Sequence, residues 1–80
     1  MEQKAKQVLV IDDEPDIREL LDLTLTRMGL EVTTVEDLAG ARRELQNRDF
    51  SFCLTDMRLP DGNGLDLVEE ISEKYPDLPT

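Results

Sequence analysis

The stretch Phe50–Gly64, FSFCLTDMRLPDGNG, joins an apolar run, a carboxylate at Asp56 and a loop rich in Pro and Gly. Such a run, closed by turn residues, predicts a buried strand that delivers Asp56 to the mouth of a loop. A second apolar run, Val8–Ile11, ends in Asp12-Asp13-Glu14. Two buried strands with acids at their C-terminal ends imply a shared acidic pocket on one edge of a sheet.

The intervening residues predict how those strands are connected. Gln7–Ile11, apolar from Val8 onward, reads as a strand covered on both faces, as in a parallel sheet. Asp12–Pro15 reads as a turn. From Asp16 onward, Ile17, Leu20, Leu21, Leu25 and Met28 recur at the spacing of one buried helical face, with Arg27 in the last turn and Gly29 just past it. Leu30–Val35 is β-branched and half polar, as an edge strand is. Glu36-Asp37 opens a second helix with Asp37 as N-cap, Leu38, Ala41 and Leu45 inward, and Asn47 as its stop. Gly40 inside it costs about 1 kcal/mol relative to alanine. Phe50–Thr55 is the third strand and Met57–Gly64 a loop. Leu65–Tyr75 is a third helix, with Leu65, Val68, Ile71 and Tyr75 on its buried stripe and Pro76 ending it. Residues 1–6 are expected to fray, and residues 77–80 read as the lead-in to a fourth strand.

The order β-α-β-α-β-α, with helical crossovers, predicts a doubly wound parallel α/β sheet. Ligands of such sheets bind outside the carboxyl ends of the strands, where the strand order reverses. Asp12, Asp13 and Asp56 all fall at those ends.

Composition narrows the partners. Eighty residues make one small domain, and 19 acids against 9 bases, with no histidine, give a net charge of −10. That charge disfavours nucleic acid or an anionic membrane and favours a cation or a basic protein surface. The lone Cys53 excludes an internal disulfide and reads as a small buried strand residue in a reducing compartment. No segment has the pattern of a transmembrane helix or signal peptide, so the cytoplasm is the expected location.

The acids carry the chemistry. Two carboxylates ~4 Å apart repel by about 1 kcal/mol in water and by about 4 at an effective dielectric of 20. A divalent cation removes that conflict, and a few hard oxygen ligands on one side suit Mg²⁺. A carboxylate beside it can also accept a phosphoryl group. Asp56 is the better nucleophile because it stands alone, whereas Asp12 and Asp13 are a pair; spacing alone leaves that assignment open. There are plainer readings. Asp12-Asp13-Glu14 would serve as a helix entry, Asp56 as a turn residue, and Pro60-Asp61-Gly62 as a turn. Glu69, Glu70, Glu73 and Lys74 read as a solvated face.

VLVIDDEPDIREL and LTDMRLPDGNGLDLVEEI resemble the first and third strand-loop segments of response-regulator receiver domains, in particular those of the NtrC class. The resemblance implies a flavodoxin-like fold and a phosphoacceptor role rather than an enzymatic one. Asp56 is then the residue phosphorylated by a sensor histidine kinase. Asp13 binds Mg²⁺ directly and Asp12 through water, while Asp56 itself and the backbone carbonyl of Arg58 complete the metal site. Pro60 and Gly64 shape the loop. Family members continue with two more strands and helices, which supply a Ser or Thr and a Lys to the phosphoryl group. Neither has a match here: Lys74 lies in the third helix and Thr80 precedes the required strand end. Residues 1–80 are therefore expected to be a receiver domain truncated after its third βα unit, with effector domains, of a sigma-54-dependent transcription regulator, C-terminal to it. Two alternatives are an unphosphorylated module that associates, also with itself, through an exposed third strand, and a metal-dependent phosphatase. The second is disfavoured because Arg58 stands where another acid is usual.

Overall fold

Val8, Leu9, Val10 and Ile11 are each no more than 1% exposed. A strand buried on both faces must lie inside the sheet, and this one does. The computed structural model describes residues 6–76 and residue 78. Strand β1 (Gln7–Ile11) lies between β2 (Glu31–Val35) and β3 (Phe52–Thr55), all parallel in the order β2-β1-β3. Helices α1 (Pro15–Arg27) and α2 (Leu38–Asn47) follow β1 and β2. The chain then forms a small antiparallel hairpin, β4 (Arg58–Leu59) and β5 (Gly62–Asn63), and enters α3 (Gly64–Lys74). The expected doubly wound parallel α/β arrangement is present.

The alternation of side chains along β1 divides the fold into two layers. Leu9, Ile11 and Cys53 pack with Leu38, Ala41 and Leu45 of α2 and with Leu67 and Ile71 of α3. Each large apolar side chain in that layer stabilises the fold by about 1.5–3 kcal/mol. On the opposite face α1 lies over β2 and β1.

That face differs from the sequence expectation. No residue of α1 is buried. Leu21 and Leu25 are half-buried, whereas Ile17, Leu20 and Met28 are 41%, 59% and 69% exposed. Among the described residues α1 has no second helix beside it, so only the side chains aimed at the sheet are covered. The same geometry exposes one side of β3: Phe52 and Leu54 are 40% and 42% exposed, and Cys53 alone in that strand is buried. The fully buried third strand expected from Phe50–Thr55 is thus a half-covered edge strand, and it starts at Phe52. Strand β2, expected at an edge, lies at one.

Helix α3 also differs in phase. Gly64, Leu67 and Ile71 are its buried residues, while Leu65 is 48% exposed and Val68 and Tyr75 are half-buried. Its helical turn starts one residue earlier than expected, at Gly64, which presses against the chain that precedes it. That contact sets the rotation of the helix. Expected helix signals hold elsewhere. The α1 terminus closes with Gly29 N–H donating to Thr26 O and Leu30 N–H to Leu25 O, with Gly29 at φ 86°. Residues 1–5, 77, 79 and 80, and with them most of the predicted fourth-strand lead-in, lie outside the described residues.

Candidate functional site

Register brings the acids together. Ile11 stands opposite both Thr55 and Val35, so β1 and β3 end side by side. Asp56 N–H donates to Ile11 O at 2.8 Å and Asp12 N–H to Val35 O at 3.1 Å, which carries the ladder one residue past the strands. One carboxylate oxygen from each of Asp12, Asp13 and Asp56 then lies within 4.8 Å of the others. Asp12 and Asp56 are half-buried and Asp13 is exposed. The predicted cluster forms at the carboxyl edge of the sheet.

Local bonds aim these groups. Asp12 Oδ1 accepts from Glu14 N–H at 2.9 Å, and Arg18 Nη1 donates to the Asp12 carbonyl at 2.7 Å. Arg18 thereby ties the first turn of α1 to the end of β1. Sequence reasoning missed it, since one arginine on a helix six residues after an acid carries no distinctive pattern. Beyond Asp56, Thr55 Oγ1 donates to the Asp56 carbonyl at 2.9 Å, and the Arg58 N–H approaches Asp56 Oδ1 at 3.5 Å.

The loop expected over Met57–Gly64 is more ordered than a simple turn. Arg58 pairs with Asn63 and Leu59 with Gly62, leaving exposed Pro60 and Asp61 as the two-residue tip. Leu59 is buried in the core, and Asn63 caps α3 by accepting from Leu65 N–H at 2.8 Å. Gly64 N–H donates to Met57 O at 2.8 Å. A Cβ at Gly64 would overlap the carbonyl oxygen of Asp56, so no other residue lets α3 start this close to the acid. The Arg58 carbonyl and Pro60 belong to this hairpin. The remaining sequence candidates fall elsewhere: Lys74 ends α3, and Thr80 lies outside the described residues. Glu70, read as solvated, is half-buried and pairs with Arg42 of α2 at 3.2 Å.

Three carboxylates with only oxygen donors can hold a hard divalent cation and leave coordination positions for water or an anion. Asp56 alone among them stands at the end of β3, facing the pair from β1.

The response regulator receiver domain family matches residues 8–80. The chain belongs to that family. It is 51% identical over 74 residues to the response regulator protein PilR of Pseudomonas aeruginosa, covering 92% of this chain and 17% of that protein. It is 36% identical over 72 residues to the DNA-binding transcriptional regulator NtrC of Proteus hauseri, covering 90% of this chain and 15% of that protein. The similarity to NtrC-type regulators expected from the sequence is therefore present. The fold matches the response regulator TrrA of Thermotoga maritima in complex with Mg²⁺-BeF, with TM-score 0.87, 36% identity, and coverage of 91% of this chain and 64% of that one. TrrA in complex with the histidine kinase ThkA matches with TM-score 0.86. The chain spans 17% and 15% of the length of these two curated relatives and just under two thirds of TrrA.

Proposed function

We propose that Asp56 is a phosphoacceptor that takes a phosphoryl group from a histidine kinase and so controls an output carried by the rest of the regulator. The convergence of Asp12, Asp13 and Asp56 within 4.8 Å at adjoining strand ends carries this reading. A carboxylate oxygen of Asp56 forms a bond to phosphorus as the P–N bond of the donor phosphohistidine breaks, and the imidazole leaves with the electron pair. Asp13 and Asp56, with the Arg58 carbonyl, are the residues that would hold Mg²⁺, and Asp12, one oxygen of which already accepts from Glu14, would act through water. Bound Mg²⁺ would supply positive charge against the charge of the transferring group.

The complexes of TrrA with Mg²⁺-BeF and with ThkA support the cation and the kinase as partners. Similarity to PilR and NtrC supports an output in transcription, of the sigma-54-dependent kind implied by the sequence resemblance. A cytoplasmic setting follows from that role, and no helix among the described residues is long and apolar enough to cross a membrane. An unphosphorylated module working through β3 is the weaker reading, because it leaves the acid cluster without a use.

Incubating the protein with acetyl phosphate and Mg²⁺ tests this directly. We expect a mass gain of one phosphoryl group that hydroxylamine removes. The same adduct in Asp56→Asn would overturn the assignment.

A further inference from the structure

The N-terminus of α2 is capped from two places. A helix leaves its first backbone N–H groups without intrahelical partners. The side chain of Asp37, the local cap, accepts only from Gly40 N–H, at 2.8 Å through Oδ1. The Leu38 and Ala39 N–H groups donate instead to Asp61, at 2.8 Å to Oδ1 and 3.0 Å to Oδ2. Asp61 lies at the tip of the β4–β5 hairpin, 23 residues from Leu38 in sequence. Its side chain reaches out from an exposed position, yet both of its oxygens are used.

The hairpin is seated at that point by packing as well. A Cβ on Gly62 would lie 2.5 Å from Leu38 Cδ1, so the missing side chain lets the α2 leucine close over the hairpin. At its other end the hairpin carries Arg58 against Asp56. The tip grips α2 while the base lines the acid cluster. Leu59 in the core and the Gly64 N–H bond to Met57 O hold the base of the hairpin, and Asp61 supplies the hydrogen bonds that tie its tip to α2.

We propose that Asp61 is a positioning residue that clamps the loop after Asp56 to α2, so that cation occupancy of the acid cluster and closure of the clamp strengthen each other. The proposal rests on the reading of that cluster as a Mg²⁺ site. Residues that orient a metal ligand typically change affinity by about 10-fold when lost. Linkage makes the effect reciprocal, so Mg²⁺ must tighten the clamp by the factor with which the clamp tightens Mg²⁺.

The test is a calorimetric Mg²⁺ titration combined with amide hydrogen exchange at Leu38 and Ala39, whose N–H groups report the clamp directly. Asp61→Ala is expected to weaken Mg²⁺ binding about 10-fold. Asp61→Asn, which keeps one acceptor oxygen, falls between it and the wild type. In the wild type, saturating Mg²⁺ slows exchange at both amides by the same factor. Asp37→Ala removes the other half of the cap without touching the hairpin and leaves Mg²⁺ affinity unchanged. Wild-type affinity in both Asp61 variants, or equal weakening by Asp37→Ala, would overturn the clamp while leaving the metal site standing. Absence of Mg²⁺ binding by the wild type would instead overturn the site reading and the clamp with it.

Discussion

Gly64 sits against the backbone of Asp56 so closely that a Cβ on it would overlap the Asp56 carbonyl oxygen and lie 3.0 Å from Thr55 Oγ1. The start of α3 and the position of the candidate phosphoacceptor are therefore one packing decision. Gly64→Ala is expected to cost about 1–3 kcal/mol through overpacking, and to weaken Mg²⁺ binding because Asp56 must shift. Gly29→Ala is the comparison: open space surrounds that position, but its φ of 86° costs a side chain about 1–2 kcal/mol. Urea midpoints should fall in both variants, and Mg²⁺ affinity only in Gly64→Ala.

Mg²⁺ should stabilise the fold by mass action, by about 2.7 kcal/mol at a hundred times its dissociation constant. Asp13→Asn removes a proposed ligand and is expected to abolish that gain. In the presence of a chelator the same variant should be more stable than the wild type by up to about 1 kcal/mol, since one of three converging charges is gone. Thermal unfolding with and without Mg²⁺ reads both effects, and a variant destabilised under chelation would contradict the repulsion argument.

Asp61 makes part of the stability depend on pH. The Leu38 N–H, followed by the Ala39 N–H and the nearby charge of Arg42, holds its carboxyl below the ordinary value of 3.8. Because the folded-state value is depressed, the carboxylate's contribution is complete above 3.8 and disappears as pH falls through the folded-state value. Asp61→Asn lacks this dependence. The wild type should exceed the variant in urea midpoint by a constant margin from neutrality down to about that pH, and the margin should then shrink.

Cys53 should be inert. Burial pushes its thiol up to about 12, so almost no thiolate is present at neutral pH. A thiol reagent should label it only as fast as the chain opens, and rapidly in urea. Cys53→Ser places a hydroxyl in the apolar layer and should cost about 1–3 kcal/mol. Rapid labelling of the folded protein would show that β3 is more open than its packing indicates.

Local patterns were legible where one neighbourhood decides the outcome. The run Gln7–Ile11 has no polar residue after Gln7 and forms the central strand with those bounds. Asp37, Leu38, Ala41 and Leu45 satisfy both a cap and a helical stripe, and α2 follows them. Periodicity failed where it records an intended burial rather than a present one. The α1 stripe is genuine as a pattern, but Ile17, Leu20 and Met28 stay exposed because nothing among the described residues covers them. In α3 the choice between Leu65 and Leu67 turned on a backbone contact of Gly64 that no spacing rule contains.

By itself the sequence determined the parallel α/β order, the carboxylates at the strand ends and the family motif around Asp56, because apolar runs, caps and turn residues act over a few neighbouring positions. Only the tertiary structure decided that Asp12, Asp13 and Asp56 converge, that Arg18 holds the Asp12 carbonyl, and that Asp61 caps a helix begun 23 residues earlier. Those contacts depend on register and on the seating of a hairpin against a helix. The first and third form between segments distant in sequence and the second depends on how α1 leaves β1, so the packed chain alone specifies them.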